Sequence, residues 1–83
     1  MAKIHLASLN PGQTGTISGV EAEPGLQQRL LALGFRMGRQ VRMIRGAWLS
    51  GPLHVRVGTT EVMLRRQEAQ KIHITDVTVR ELR

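Results

Sequence analysis

Residues 53–64 read LHVRVGTTEVML, and this stretch decides the fold class. Apolar side chains occupy alternate positions on both sides of Gly58-Thr59-Thr60, which is the period of two typical of a half-buried strand. The glycine-containing centre is short enough for a tight hairpin turn. The sequence therefore predicts two antiparallel strands joined by this turn.

Three further segments have the composition of short strands, at 14–20, 40–45 and 72–79. In the last of them Thr75-Asp76 interrupts the alternation of apolar residues, so we expect a bend or bulge there. Glycine and proline recur at short intervals along the whole chain, which favours several short strands over long helices.

Residues 25–33 are the one segment with a clear helical pattern. Its apolar face has the spacing i, i+4, i+7 and consists of Leu26, Leu30 and Leu33, which we expect in the core. Pro24 suits the first helical turn, and Gly34 supplies the left-handed residue that ends many helices. Leu31 points away from the apolar face and is expected to be partly exposed.

Five or six short strands with one inserted helix predict a mainly β fold, a small barrel. Closing the sheet would remove the exposed edges that a short β-domain must protect. The polar segment 66–70 is expected to form a single helical turn before the last strand. With 83 residues the chain is predicted to be one domain, 1–83, whose small core disfavours a deep cofactor cleft.

Catalytic motifs are missing from the sequence. It contains no Gly-x-Ser-x-Gly motif, and the fragment GQTGT at 12–16 lacks the lysine and the spacing of a phosphate-binding loop. The absence of cysteine removes thiolate zinc sites, iron–sulfur clusters and a cysteine nucleophile. We predict that the protein is not an enzyme, has no catalytic residue and carries no cofactor.

The three histidines, His5, His54 and His73, are far apart and show no metal-ligand spacing. We therefore predict no dedicated metal site. A surface histidine beside a carboxylate can still bind a metal ion such as zinc weakly, because imidazole is a common ligand.

The chain is strongly basic, with 12 Lys and Arg against 6 Asp and Glu, a net charge of +6 and a pI of about 11.6. This excess suggests an anionic partner: nucleic acid, a lipid surface or an acidic protein face. Arginine recurs at every third position over 36–45, and on an alternating strand that spacing sends successive side chains to opposite faces.

Phe35 and Trp48 are the only aromatic residues, whereas single-stranded nucleic acids usually bind on aromatic platforms. A basic small barrel that binds RNA is therefore the alternative, and nucleic acid is not the partner we expect. No segment has the roughly 20 apolar residues that span a bilayer. Residues 1–6 do not resemble a signal peptide, so we expect a cytoplasmic protein that is at most peripheral to the membrane.

Five short motifs occur in a characteristic order. They are PGQTG at 11–15, RLLALG at 29–34, MG at 37–38, GP at 51–52 and LRRQEA at 64–69. This set, which extends from about Leu6 to Ile74, resembles the FeoA family of small cytosolic proteins of bacterial ferrous iron uptake. Met37 departs from the family, which usually has proline there, although methionine can adopt the same turn.

The resemblance implies an SH3-like barrel with a helical insertion and a non-enzymatic role beside FeoB, the membrane ferrous iron transporter. Contact is expected with the cytosolic GTP-binding domain of FeoB or with its membrane-proximal face. The same domain resembles the C-terminal module of iron-dependent repressors, but this chain has no room for a winged-helix DNA reader.

We expect the partner to dock on the helix end and the turn that follows. The candidate contact residues there are Gln28, Arg29, Leu31, Gly34, Phe35 and Arg36. For Leu31 and Phe35 a core role and an interface role remain open. A second candidate patch is formed by Trp48, Leu49 and Pro52 in a glycine-rich loop, where recognition residues often collect.

Overall fold

The structure is a computed structural model and describes residues 4–46 and 51–79. Its strands are β1 (Ile4–His5), β2 (Gln13–Val20), β3 (Gln40–Arg45), β4 (Leu53–Val57), β5 (Thr60–Leu64) and β6 (Ile72–Val79). Its helices are α1 (Pro24–Ala32) and α2 (Arg66–Ala69), and a 3-10 turn covers Leu6–Ser8.

All six strands form one sheet in the order β1-β6-β2-β3-β4-β5, and every neighbouring pair is antiparallel. The mainly β fold with one inserted helix is therefore confirmed. The order ends at β1 and β5, and within the described ranges no hydrogen-bonded ladder joins these two edges. The short helix α2 packs against the 3-10 turn.

The hairpin read from residues 53–64 is present, with Leu53 opposite Leu64 and Val57 opposite Thr60. Its turn is one residue shorter than expected, because Thr60 already belongs to β5. Gly58 has a φ of +61°, which glycine adopts without steric cost. The inward side chains of this hairpin join one continuous core, which comprises Leu6, Leu9, Ile17, Leu30, Phe35, Val41, Met43, Leu53, Val55, Val57, Leu64, Ala69, Ile72 and Ile74.

Helix α1 lies within one residue of the predicted 25–33 at each end. Its C-terminus is a Schellman motif: the Gly34 N–H donates to the Leu31 carbonyl at 3.0 Å, and the Phe35 N–H donates to the Leu30 carbonyl at 3.0 Å. Gly34 has a φ of +109°, as this motif requires. Leu30 and Phe35 are both fully buried, so the chain leaves the helix by inserting Phe35 into the core.

The described sheet has three register shifts, two between β2 and β6 and one between β3 and β4. The predicted irregularity at Thr75-Asp76 is confirmed, since Asp76 has a φ of 54° and the register between β2 and β6 shifts there. A bulge in β3 was not predicted: Met43 lies opposite Val55, but Arg45 lies opposite His54.

The β3 bulge corrects our expectation for the arginines. Arg42 lies opposite Arg56, and Arg45 lies opposite His54. Because His54 and Arg56 are two residues apart on one strand, they share a face, and so do their partners. The extra residue in β3 therefore puts Arg42 and Arg45 on the same outer face, although their spacing is three.

Candidate functional site

A groove of about 650 Å³ lies between α1, the turn after it and the end of the sheet formed by β1, β2 and β6. Three exposed apolar side chains line it: Ile4, Leu31 and Met37, with 43%, 39% and 74% of their surface accessible. Exposed apolar side chains that share one concave surface are typical of an interaction site. We call this surface the apolar groove.

The turn after α1 is held in place by the sheet, and this fixes Met37 at the groove. The Gly38 N–H donates to the Ile17 carbonyl at 2.7 Å, and the Ile17 N–H donates to the Arg39 carbonyl at 2.8 Å. Gly38 has a φ of +90°, which suits glycine. Met37 is therefore exposed to solvent, and the residue that follows it is hydrogen-bonded to β2.

Polar groups form one side of the apolar groove. His73 Nε2 lies 2.5 Å from Glu21 Oε1, which joins β6 to the segment before α1. Gln27, on the first turns of α1, donates from Nε2 to the Val20 carbonyl at 3.4 Å. His73 Nδ1 is buried and has no hydrogen-bond partner among residues 4–46 and 51–79. The groove thus combines an apolar floor with a polar rim, as protein interfaces commonly do.

Among residues 4–46 and 51–79, no three His, Cys, Asp or Glu side chains gather where they could hold a metal ion. Two histidines nevertheless have a carboxylate neighbour. His73 pairs with Glu21, and His54 Nε2 lies 2.8 Å from Glu61 Oε1. Weak metal uptake at such pairs remains a prediction.

The structure brings only part of the predicted helix-end set to the apolar groove. Leu31 lines it and is exposed, whereas the Phe35 side chain is fully buried beneath it. Of the two roles left open for Phe35, the structure shows the core role, because the Schellman motif turns this side chain inward. We therefore no longer expect the Phe35 side chain to contact a partner directly.

The other helix-end residues face elsewhere or contribute through the backbone. Arg29 turns towards α2, where its Nη1 donates to Glu68 Oε2 at 2.8 Å, so it links the two helices. Gln28 and Arg36 are exposed but do not line the apolar groove. Gly34 ends the helix.

The predicted second patch is only partly described. Pro52 is exposed beside Arg65, Arg66 and Gln67 in a separate concavity, away from the apolar groove. Trp48 and Leu49 lie outside the described residues, so their part of this prediction stays as stated.

Sequence reasoning missed Ile4 and His73 as groove residues and treated Met37 only as a departure from the family pattern. Ile4 reaches the groove because β1 pairs with β6, with Ile4 opposite Ile74. That pairing joins residues 70 positions apart and has no local signal. The one signal in the sequence for this groove was an apolar methionine at position 37, where the family usually has a turn proline.

The family model for the FeoA domain matches residues 4–76. The chain belongs to the FeoA family. This family is associated with ferrous iron transport, as the names of its members state. In the part of this FeoA chain that the structure describes, no helix is both long enough and apolar enough to cross a bilayer.

A fusion protein from Porphyromonas gingivalis, named Fe(2+) transport protein A/Fe(2+) transporter FeoB fusion protein, is 31% identical over 71 residues. The match covers 86% of this chain and 8% of the fusion protein, so the chain spans a small part of that relative.

Two solved structures illustrate the fold. FeoA of Stenotrophomonas maltophilia complexed with zinc, described as an SH3 domain protein, has a TM-score of 0.85 and 30% identity, over 94% of this chain and 99% of that one. The SH3-like class is therefore confirmed. A manganese-dependent transcriptional repressor has a TM-score of 0.79 at 22% identity, over 87% of this chain and 40% of that one, which shows a shared fold alone.

Proposed function

We propose that this chain is a non-enzymatic accessory protein of bacterial ferrous iron uptake that acts in the cytoplasm by binding the transporter FeoB. The observation that carries this proposal is the Porphyromonas gingivalis fusion protein, whose name joins transport protein A and FeoB in one polypeptide. Covalent fusion holds two domains at high effective concentration, which favours pairs that work in contact.

The apolar groove supports a contact function better than a catalytic one. Its accessible side chains include Ile4, Leu31 and Met37, which bury well against a partner but carry no reactive group. Burying such side chains supplies most of the free energy of an interface core. The polar pair His73 and Glu21 at the rim would help to orient a bound partner and would not take part in a reaction.

Co-purification with FeoB from the same organism tests the proposal. Full-length FeoB and its isolated cytosolic GTP-binding domain serve as separate baits, because the docking face of FeoB can belong to either. We expect the wild-type chain to be retained by full-length FeoB. Leu31→Glu places a charge in the apolar groove and should weaken retention by about ten-fold or more.

Ala32→Glu is the matched control, since it adds the same charge at the next position of α1. Ala32 is exposed and does not line the apolar groove, so this variant should bind within about two-fold of wild type. Circular dichroism confirms that both variants are folded. Failure of both baits to retain the wild-type chain, or equal retention of Leu31→Glu, contradicts the proposal.

A further inference from the structure

Three arginine side chains, Arg39, Arg42 and Arg56, line one shallow concavity of about 510 Å³ on the outer face of the sheet. We call this surface the arginine concavity. It shares no lining residue with the apolar groove. Nothing in the proposed function accounts for this collection of positive charge.

Strand register builds the arginine concavity. Arg42 on β3 lies directly opposite Arg56 on β4, and Thr14 on β2 lies on the other side of Arg42. Arg39, just before β3, extends over the hairpin turn: a Cβ atom at Gly58 would lie only 2.7 Å from Arg39 Nη1. Because glycine has no side chain, Gly58 leaves room for the Arg39 guanidinium.

The positive charge of the arginine concavity is poorly balanced. Like charges that lie directly opposite each other on neighbouring strands destabilise a sheet. The nearby carboxylate is Glu61, which accepts from Arg56 Nη2 at 2.6 Å and also contacts His54. Within the described part of the chain, Arg39 and Arg42 have no ion pair. Two guanidinium groups therefore have no carboxylate partner among the described residues and are available to bind an anion.

Glu61 also indicates which anion fits. It shows that a carboxylate group can bind a guanidinium at this surface, and the planar arginine fork matches carboxylate oxygens well. Single-stranded RNA usually binds on aromatic platforms, and Phe35, the aromatic residue among those described, is buried in the core.

We propose that the arginine concavity binds an acidic segment of a protein partner, whose carboxylates contact Arg39 and Arg42 while Glu61 remains on Arg56. This inference goes beyond the contact at the apolar groove and does not depend on it. A partner that carries both an apolar projection and an acidic segment would engage two separate faces of the chain.

Binding of a fluorescein-labelled peptide of ten glutamates tests the proposal, with fluorescence anisotropy as the readout and a ten-glutamine peptide as the uncharged control. The wild-type chain should bind only the glutamate peptide, and more weakly at about 200 mM than at about 50 mM salt, because salt screens exposed charges. The double variant Arg39→Glu/Arg42→Glu should weaken binding by about ten-fold or more.

Arg66→Glu/Lys71→Glu is the matched control. It makes the same change in net charge at exposed positions outside the arginine concavity, and a glutamate at Arg66 suits the start of α2. This variant should bind the peptide within about three-fold of wild type, because only long-range attraction is lost. Equal weakening in both double variants overturns the proposal, since net charge alone would then explain binding.

Glu61→Gln should have the opposite effect on binding of the glutamate peptide. It removes the carboxylate that pairs with Arg56 and leaves the Arg56 guanidinium without this partner. Glu61 is exposed, so the fold should tolerate the change. We expect binding of the glutamate peptide to become about two- to five-fold tighter. Unchanged or weaker binding would show that the peptide does not bind close to Glu61 and would contradict the proposal.

Other anions are compared in the same assay. Inorganic phosphate, phosphatidylserine vesicles and a ten-nucleotide uridine RNA are each tested as competitors of the glutamate peptide at equal charge concentration. The proposal expects each of them to compete less effectively than unlabelled glutamate peptide. The proposal is overturned if the vesicles or the RNA displace the labelled peptide better than unlabelled glutamate peptide does, and if the Arg39→Glu/Arg42→Glu variant no longer binds them.

Discussion

The apolar groove and the arginine concavity are centred on different strands of the sheet and depend on different forces. The groove is formed around β1, β6 and α1 and presents Ile4, Leu31 and Met37, whose binding would depend on burial. The concavity is formed around β3 and β4 and presents guanidinium groups, whose binding would depend on charge. Salt should therefore weaken contacts at the concavity far more than contacts at the groove.

The two surfaces differ in their use of bulges. The irregularity at Asp76 lies in the lining of the groove, whereas the concavity is built on the regular pairing of Arg42 with Arg56, ahead of the β3 bulge. β2 is shared by the two surfaces, since Thr14 borders the concavity while residues 18–20 border the groove. Changes in the core or in β2 should therefore damage both surfaces, whereas changes at one surface should leave the other intact.

The largest expected effect is that of Phe35→Ala, which removes the fully buried ring beneath the apolar groove. It should lower the free energy of unfolding by about 3–5 kcal/mol, the usual cost of truncating a core aromatic residue. Urea denaturation measures the change. Both surfaces should then lose binding together, because the fold itself is weakened.

Met37→Ala is the control for Phe35→Ala, since Met37 is 74% exposed and contributes little to the core. Its free energy of unfolding should stay within about 0.5 kcal/mol of wild type. A small effect of Phe35→Ala together with selective loss of FeoB binding would show that Phe35 belongs to the contact surface after all.

An intermediate effect is expected for Gly15→Ala in the shared strand β2. A Cβ atom at this position would overlap Ile74 Cγ2 on β6, so the Ile74 side chain or one of the two strands must shift. The free energy of unfolding should fall by about 1–3 kcal/mol, the usual cost of overpacking. Urea denaturation again gives the measurement.

Gly19→Ala is the matched control on the same strand, because a Cβ atom there meets no heavy atom within 4 Å. It should change the free energy of unfolding by no more than about 0.5 kcal/mol. If both alanine variants were equally stable, the close approach of β2 and β6 at Gly15 would be wrong.

The smallest effect concerns Glu61 and is confined to the arginine concavity. Hydrogen bonds from Arg56 and then from His54 lower the pKa of the Glu61 carboxyl group below its ordinary value. A lowered pKa in the folded state means that this carboxylate stabilises the fold above its unfolded-state pKa. The contribution is lost as the pH falls through the lowered folded-state pKa.

NMR titration of the Glu61 carboxyl carbon measures this pKa directly. Arg56→Gln removes the guanidinium that contributes most to this shift and should raise the pKa of Glu61 towards its ordinary value, with little change in the resonances of the residues that line the apolar groove. A pKa of Glu61 that is the same with and without Arg56 would show that the ion pair is absent in solution.

Local patterns were enough to predict most of the fold. The alternation in 53–64 gave the β4–β5 hairpin, and Pro24 and Gly34 gave both ends of α1 to within one residue. The break at Thr75-Asp76 was predicted from the same alternation. Each of these features depends on residues that are close together in the sequence.

The candidate sites were less predictable because their residues meet through long-range pairing. β1 pairs with β6 across the whole chain, and this brings Ile4 to the groove beside Leu31. The β3 bulge has no glycine or proline to mark it, so the shared face of Arg42 and Arg45 could not be read from their spacing. Phe35 looked equally suited to core and surface until the Schellman motif fixed its direction.

The most direct test of the central claim is photo-crosslinking in membranes that contain FeoB. A benzophenone amino acid replaces Met37 in the apolar groove in one variant and Gln70, an exposed residue outside both surfaces, in another. We predict an ultraviolet-dependent crosslink from position 37 to FeoB that Leu31→Glu abolishes, and a weaker crosslink or none from position 70. A crosslink to FeoB from position 70 but not from position 37 would contradict the docking of FeoB on the apolar groove.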